Sequence, residues 1–354
     1  MKNFIIRIVF FILLYLIIGR LISLITPYHW GNPWYSTKIQ YLEKFKSNNL
    51  PNTYFFGSSR VYRQIMPTVF DSTYFSLSKK HINSFNLGAP ATFCPQVYYL
   101  YENFLSSSLS QNTKYVFIEL MDIDLIEKNL MHQERVTYWI NLSDIFFGYN
   151  ALHNNPSISL ATKTKYISNY SISYLENLLH MGHFGQQYLD NNYYNLDYLG
   201  EHKNGFFSLE RDTATTKNET FKNQLIDRNK DLIADTSELK NRAINSTKDF
   251  SNKNLPLDVV HLERINKLIN LSKEKGVSVV FILSPRNNSQ NLINLYNAIP
   301  ENNKIQLSNS KKYPELYMIE NSFDIGHLNT KGSSIYSSLL ATEFNKLLTD
   351  KEHH

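Results

Sequence analysis

Apolar residues fill the start of the chain without a period and afterwards fall into two alternating rhythms. Phe4–Ile25 is nearly unbroken, with Arg7, Gly19 and Arg20 interrupting it. At about 1.5 Å per residue this run covers the roughly 30 Å of a bilayer's hydrocarbon core. Both arginines stand near its ends, where long side chains reach the headgroups. No small-x-small cleavage site follows, as a removable leader requires. Tyr28, Trp30, Trp34 and Tyr35 come next, residue types suited to a membrane–water interface. Residues 1–27 are therefore expected to form a single transmembrane signal anchor; a buried or interfacial amphipathic helix is the alternative outcome of such a run. Lys2 and Arg7 predict a cytoplasmic N-terminus and an exported main domain.

Residues 28–50 read as a polar linker with one short helix, Ile39–Lys46. Beyond it, short apolar runs alternate with segments of helical period. Strands are expected at Thr53–Phe56, Ser84–Leu87, Tyr115–Leu120, Val277–Leu283 and Leu316–Ile319, and helices at Pro95–Leu109, Val259–Lys275 and Thr330–Leu348. This alternation predicts an α/β domain over residues 51–354, its parallel sheet covered on both faces by right-handed crossovers. Residues 126–255 break the rhythm. Rich in Tyr, Asn, Leu and Ser, with helical patches such as Ile172–Leu179, they are expected to form a long, mostly helical insertion on the substrate-facing rim.

Composition narrows the picture only a little. The apolar and charged fractions, 42% and 19%, are those of a folded chain. A net charge of +5 suits a membrane surface or an anionic polysaccharide, but is too diffuse for nucleic acid, and no recognition helix accompanies it. Cys94 is the only cysteine, so no disulfide or Cys-based metal site is expected within the chain. No Gly-rich phosphate loop or dinucleotide fingerprint appears, and no cofactor is expected.

Candidate chemistry sits at two points. Gly57-Ser58-Ser59-Arg60 follows an apolar strand, and Asp324-Ile325-Gly326-His327 precedes the last helix. A serine hydroxyl needs an adjacent base, itself oriented by a third group, before it attacks a carbonyl. Ser59, His327 and Asp324 are the types that such a site requires. Gly57 would allow a sharp turn at the carboxyl edge of the sheet, where α/β ligands bind. Each segment alone is more often an ordinary turn or loop.

Together with Asn86-Leu87-Gly88, these segments resemble three of the four sequence blocks of the SGNH/GDSL hydrolase superfamily. Anchor plus domain looks like its membrane-anchored D-alanyl-transfer (DltD-like) and polysaccharide O-acyltransferase members. The resemblance covers roughly residues 51–125 and 256–350. It implies a three-layer α/β/α, flavodoxin-like fold with a five-stranded sheet, and carboxyl-ester chemistry. It makes Ser59 the nucleophile, with Asp324 and His327 completing a triad and the N–H groups of Ser59 and Gly88 forming an oxyanion hole. Ser58 stands where many members have Asp; the membrane-anchored transferases resemble this chain in having Ser there. The third block's Asn has no counterpart in Phe117-Ile118-Glu119-Leu120-Met121-Asp122, and one missing donor would cost roughly two orders of magnitude in turnover.

Other residues carry open alternatives. Arg60 and Arg286 would hold a carboxylate or phosphate of the substrate, or pair with local acids. Glu119, Asp122 and Asp124 line the cleft, or cap and solvate. Trp139, Tyr193, Tyr194, Phe206 and Phe207 stack on sugar rings, or pack in a core. His180-x-x-His183 reads as a surface loop ahead of a metal pair, because Gly182 disfavours a rigid helix. The expected function is exported, membrane-tethered acyl transfer or ester hydrolysis on a bacterial envelope or surface glycan, with a membrane-bound acyl donor as a further partner. The alternative is a non-catalytic envelope protein that binds glycan or scaffolds an acyl-transfer complex.

Overall fold

The computed structural model describes residues 2–123, 126, 129–154, 158–179, 194–247, 257–287 and 289–352. His180, His183, Asp124 and Tyr193 lie outside them. From the N-terminus the elements run α1 (Lys2–Ile25), α2 (Pro33–Leu42), β1 (Thr53–Phe56), α3 (Ser59–Gln64), α4 (Pro67–Ser78), β2 (Ser84–Asn86), α5 (Gln96–Ser106) and β3 (Tyr115–Glu119). Then come α6 (Glu134–Thr137), α7 (Leu142–Asn154), α8 (Leu160–Leu179), α9 (Leu209–Thr215), α10 (Glu219–Ala234) and α11 (Ser237–Asn245). The chain ends through α12 (Val259–Glu274), β4 (Ser278–Leu283), α13 (Gln290–Ala298), β5 (Lys304–Gln306) and α14 (Thr330–Glu352). It divides into two compact units, Met1–Ser36 with Ile123–Asn195, and Thr37–Asp122 with Leu196–His354.

The second unit holds a five-stranded parallel sheet in the order β2-β1-β3-β4-β5, so the chain is of the α/β class. Its strands are short and apolar because both faces are covered. Phe55 lies against Phe70 of α4 and Phe117 of β3 at 5.0 Å each, and Phe344 of α14 closes on Phe117 at 4.8 Å. Tyr54 and Phe56, alternating to the opposite face, meet Phe104 and Tyr101 of α5 at 4.6 and 5.3 Å. Each such ring contributes roughly 1.5–3 kcal/mol by leaving water. From β1 the chain steps outward to β2 and then returns to the other side of β1 for β3. That reversal puts the topological switch point, where ligands of open α/β sheets bind, at the carboxyl ends of β1 and β3.

Three expectations change. The fifth strand is Lys304–Gln306, paired with β4 from Phe281↔Lys304. Leu316–Ile319 instead falls in 3-10 turns, Pro314–Tyr317 and Ile319–Asn321. Pro314 begins the first turn, where its fixed φ suits a helical start and its missing N–H costs nothing. Leu316 and Tyr317 still bury in the core. In residues 28–50 the helix is Pro33–Leu42, not Ile39–Lys46; Tyr35, Lys38, Ile39 and Leu42 are buried, while residues 43–49 are exposed. The stretch 126–255 is split, its residues up to Asn195 lying in the first unit and those from Leu196 in the sheet unit.

Within the first unit, Lys2–Ile22 is long and apolar enough to cross a membrane. Tyr15 Oη donates to the Leu179 carbonyl at 3.2 Å, tying α1 to α8. Polar side chains of α8 serve main-chain carbonyls of the same unit. Asn169 Nδ2 donates to Ile126 O at 2.7 Å, and Ser173 Oγ to Met131 O at 2.7 Å. Trp139 is fully buried here, and Phe207 is buried in the sheet unit, so both rings pack in cores.

Candidate active site

The Gly57-Ser58-Ser59 turn is built by β1 and by a buried acid from β3. Leaving the sheet at Phe56, the chain passes Gly57 and begins α3 at Ser59, with Ser58 as N-cap. Ser58 Oγ accepts the Arg60 N–H at 3.2 Å. Its own N–H and O–H both donate to Glu119 Oε2, at 2.8 and 2.7 Å. Gly57 is required by space: a Cβ there would stand 2.3 Å from Val61 Cγ2 and 2.7 Å from Glu119 Cβ. As the first residue of its helix, Ser59 has an N–H with no intrahelical acceptor.

The second half is the loop before α14. Asp324 Oδ1 accepts the N–H groups of Gly326 and His327 at 2.8 Å each, folding Asp-Ile-Gly-His into a tight turn. The His327 carbonyl accepts the N–H groups of Phe323 and Asp324 at 3.0 and 3.3 Å. Across this turn His327 Nδ1 lies 3.0 Å from Asp324 Oδ1, and Nε2 lies 2.9 Å from Ser59 Oγ. With the Nδ1 proton directed at Asp324, Nε2 is left to accept the Ser59 hydroxyl. Ser59, His327 and Asp324 are therefore one continuous hydrogen-bonded relay.

No family model matches the chain, and no curated protein or solved structure matches it either. Chemistry must be read from the relay itself.

Its electrostatics favour a neutral base beside a fixed anion. Burial alone would raise the Asp324 pKa. The hydrogen bond and charge of His327, the Arg228 guanidinium and the Gly326 N–H outweigh it and hold the carboxyl at about 2. Burial pushes the His327 imidazole below its ordinary value; Asp324 pulls it back up, while Arg228 and Arg60 push it further down. The resting arrangement is then a neutral imidazole accepting from Ser59, with an ionised carboxylate behind it.

Gly88 departs from its expected part. Its N–H donates to Asn86 Oδ1 at 2.9 Å, so that amide is already committed. Asn86 Nδ2 meanwhile donates to the Val61 and Ile65 carbonyls at 2.7 and 2.8 Å, bracing α3 from below. The Gly88 carbonyl accepts from Lys38 Nζ at 2.6 Å, and Gly205 O accepts from the same nitrogen at 2.8 Å. Lys38 is fully buried, and burial first, then the neighbouring Arg63 charge, drives its pKa well below the usual lysine value.

Arg286 departs as well. It is buried and spends all five N–H groups: Nε and Nη2 on Leu316 O at 3.1 and 2.8 Å, Nη2 also on Ser322 Oγ at 2.6 Å, and Nη1 on Asp324 O and His327 O at 3.0 and 3.2 Å. No donor remains for a substrate; the guanidinium is the strut beneath the Asp-His turn. Arg60 stays half-buried beside Ser59, its Nη1 3.5 Å from Glu119 Oε1. Asp122 accepts from Ser289 Oγ at 2.8 Å.

Sequence reasoning missed Arg228. Its guanidinium forms an ion pair with Asp324 Oδ2, the carboxylate oxygen turned away from the main-chain donors. It stands on α10, in a Lys/Asn/Thr-rich tract where no chemical motif marks it, and only the fold brings it to Asp324. Among the described residues no group of three or more His, Cys, Asp or Glu could hold a metal ion.

Proposed function

We propose that this protein is a membrane-anchored, exported serine acyl-transfer enzyme acting on a cell-envelope or surface glycan. One observation carries the proposal: the 2.9 Å contact between Ser59 Oγ and His327 Nε2, with Asp324 behind the ring. The resemblance of Tyr54–Arg60, Asn86–Gly88 and Asp324–His327 to SGNH/GDSL blocks supports it, as does the position of Ser59 at the switch point of a parallel sheet.

In the proposed reaction Ser59 Oγ attacks an ester carbonyl while its proton passes to His327 Nε2. The tetrahedral oxyanion takes the Ser59 N–H. Collapse breaks the ester C–O bond, and His327 returns the proton to the departing alkoxide. The acyl group now sits on Ser59. A second hydroxyl, from water or a sugar, repeats the sequence in reverse and frees Ser59. Transfer to a sugar is favoured over hydrolysis because a membrane anchor keeps the site near membrane-bound acyl donors, a preference that rests on family analogy. Lys2 and Arg7 support a cytoplasmic N-terminus with the catalytic unit outside.

A second reading has its own observation. The Gly88 amide is committed to Asn86, and Glu119 occupies the strand end where the superfamily's Asn donor would be. A site short of oxyanion donors favours a non-catalytic, glycan-binding or scaffolding protein. Labelling of the full-length protein with a fluorophosphonate separates the two. Labelling that disappears in a folded Ser59→Ala variant supports the enzyme. Labelling absent from wild type, with no turnover of p-nitrophenyl acetate, supports the scaffold.

A further inference from the structure

Helix α10 is docked on the Asp-His turn by three kinds of contact. Its apolar side chains Phe221 and Leu225 pack with Leu209 on Phe323, the residue before Asp324. Asn229 Nδ2 donates to the Phe323 carbonyl at 2.7 Å. Between these anchors Arg228 reaches Asp324 Oδ2 as an ion pair, and its Nη2 comes within 3.2 Å of His327 Nδ1. With Nδ1–H donating to Asp324, that last approach is a contact between two donors and contributes a positive charge beside the ring, not a hydrogen bond.

The carboxylate explains why such a group is needed. Oδ1 is crowded by two main-chain N–H groups and the imidazole, which fixes one oxygen only. Oδ2 is 3.2 Å from His327 Nδ1 and would otherwise compete for the ring proton by rotation about the Cβ–Cγ bond. A guanidinium on Oδ2 pins that rotation, and a positive charge beside the ring disfavours a second proton on it.

We infer that Arg228 is a positioning residue for the His327 base: α10, supplied by the insertion, locks the Asp324 carboxylate and keeps the imidazole free to accept the Ser59 proton at lower pH. The inference rests on the Ser59–His327–Asp324 reading of the site. Charged and titratable groups facing His327 come from four elements besides its own turn: Arg228 on α10, Arg60 on α3 with Glu119 of β3 behind it, and Arg286 after β4, which reaches the turn through its carbonyls. Arg60 and Arg286 stay in place when Arg228 is replaced, so the change isolates a single charge.

The test is the pH dependence of fluorophosphonate labelling of the full-length protein in detergent. In Arg228→Gln the acid limb of the labelling rate is expected to move upward by roughly one pH unit, because a lost positive neighbour lets His327 hold its proton longer. Arg228→Lys keeps the charge and should keep the limb near its wild-type position while lowering the plateau. Asn229→Ala loosens α10 without touching charge and should lower the plateau with no movement of the limb. Unmoved limbs in both Arg228 variants, or equal movement in Arg228→Gln and Asn229→Ala, would overturn the inference. If Arg228→Gln does not fold, a limb displaced in Arg228→Lys as far as one unit overturns it equally. Failure of the underlying reading looks different: Ser59→Ala then labels like wild type, whatever Arg228 does.

Discussion

One oxygen of Glu119 accepts both the N–H and the O–H of Ser58, so a fully buried carboxylate at the end of β3 sets the turn that presents Ser59. A tight turn offers few ways to satisfy a buried N–H, and an acid from the neighbouring strand does so while countering the charge of Arg60.

Replacing that acid should separate shape from charge. Glu119→Ala leaves the Ser58 N–H buried without an acceptor, a loss of about 1–3 kcal/mol, and frees Ser59 from its fixed position. Stability in urea should fall by about that amount and labelling of Ser59 at least tenfold. Glu119→Gln still offers one oxygen to both donors and should retain most of the stability. Equal damage from the two variants would show that the hydrogen bonds to Ser58 are not what matters.

The oxyanion geometry and Arg228 were the parts the sequence left hidden, and the reasons differ. Thr53–Phe56, Tyr115–Glu119 and Ser278–Leu283 are legible because a strand buried on both faces must be apolar throughout. Lys304–Gln306 is not, since three residues with one apolar position carry no period. Ser59, Asp324 and His327 are legible because two of them share one short turn and the third follows a strand. Arg228 stands 96 residues from Asp324, and nothing local distinguishes it from other basic residues of its tract. Gly88 misleads for another reason: whether an amide faces a ligand or a neighbouring Asn86 depends on a loop's path, which spacing does not encode.

Asp324→Asn should be far more damaging than its size suggests. An amide oxygen in place of Oδ1 would still accept from the Gly326 and His327 N–H groups, so the turn should persist. The amide nitrogen would then face Arg228, donor against donor, and the ring would lose its anionic partner. The imidazolium that forms when Ser59 gives up its proton then lacks a counter-charge, and the amide nitrogen, at the Oδ2 position 3.2 Å from Nδ1, competes to donate to the ring. A loss of about 10³-fold or more in labelling rate is expected, with a melting temperature lowered by only a few degrees. A loss under about tenfold would remove Asp324 from the relay.

Arg286→Lys tests the strut. Lysine offers three donors where the guanidinium spends five, and its ammonium cannot span Leu316, Ser322 and the Asp-His turn together. At least two of those bonds go unmade, and each buried group left alone costs about 1–3 kcal/mol. Unfolding in urea should therefore shift by roughly 3 kcal/mol, and amide exchange should accelerate over residues 322–328 more than in the sheet. Unchanged exchange in that loop would mean that other contacts hold it.

Acid should weaken the fold through histidines outside the site. His261 on α12 is buried against Tyr98 Oη at 2.7 Å and Cys94 Sγ at 3.6 Å, and burial lowers its pKa to about 3. Burial likewise lowers His29 to about 4. Between the ordinary histidine value and these lowered ones the unfolded chain binds more protons than the folded one. Stability is then lost as pH falls from about 6.5 toward 3. Asp71 works in the opposite sense: burial raises it to about 6, so its contribution is present at low pH and is lost as pH rises through 6. Burial also lowers His327 and raises Asp122 and Glu43, so the histidine contribution is isolated by substitution. Replacing His261 with Gln removes one of these titrations, and Gln can still bond Tyr98. Melting temperature plotted against pH between 6 and 4 should be less steep in that variant than in wild type; superimposable slopes would show that His261 is protonated equally in both states.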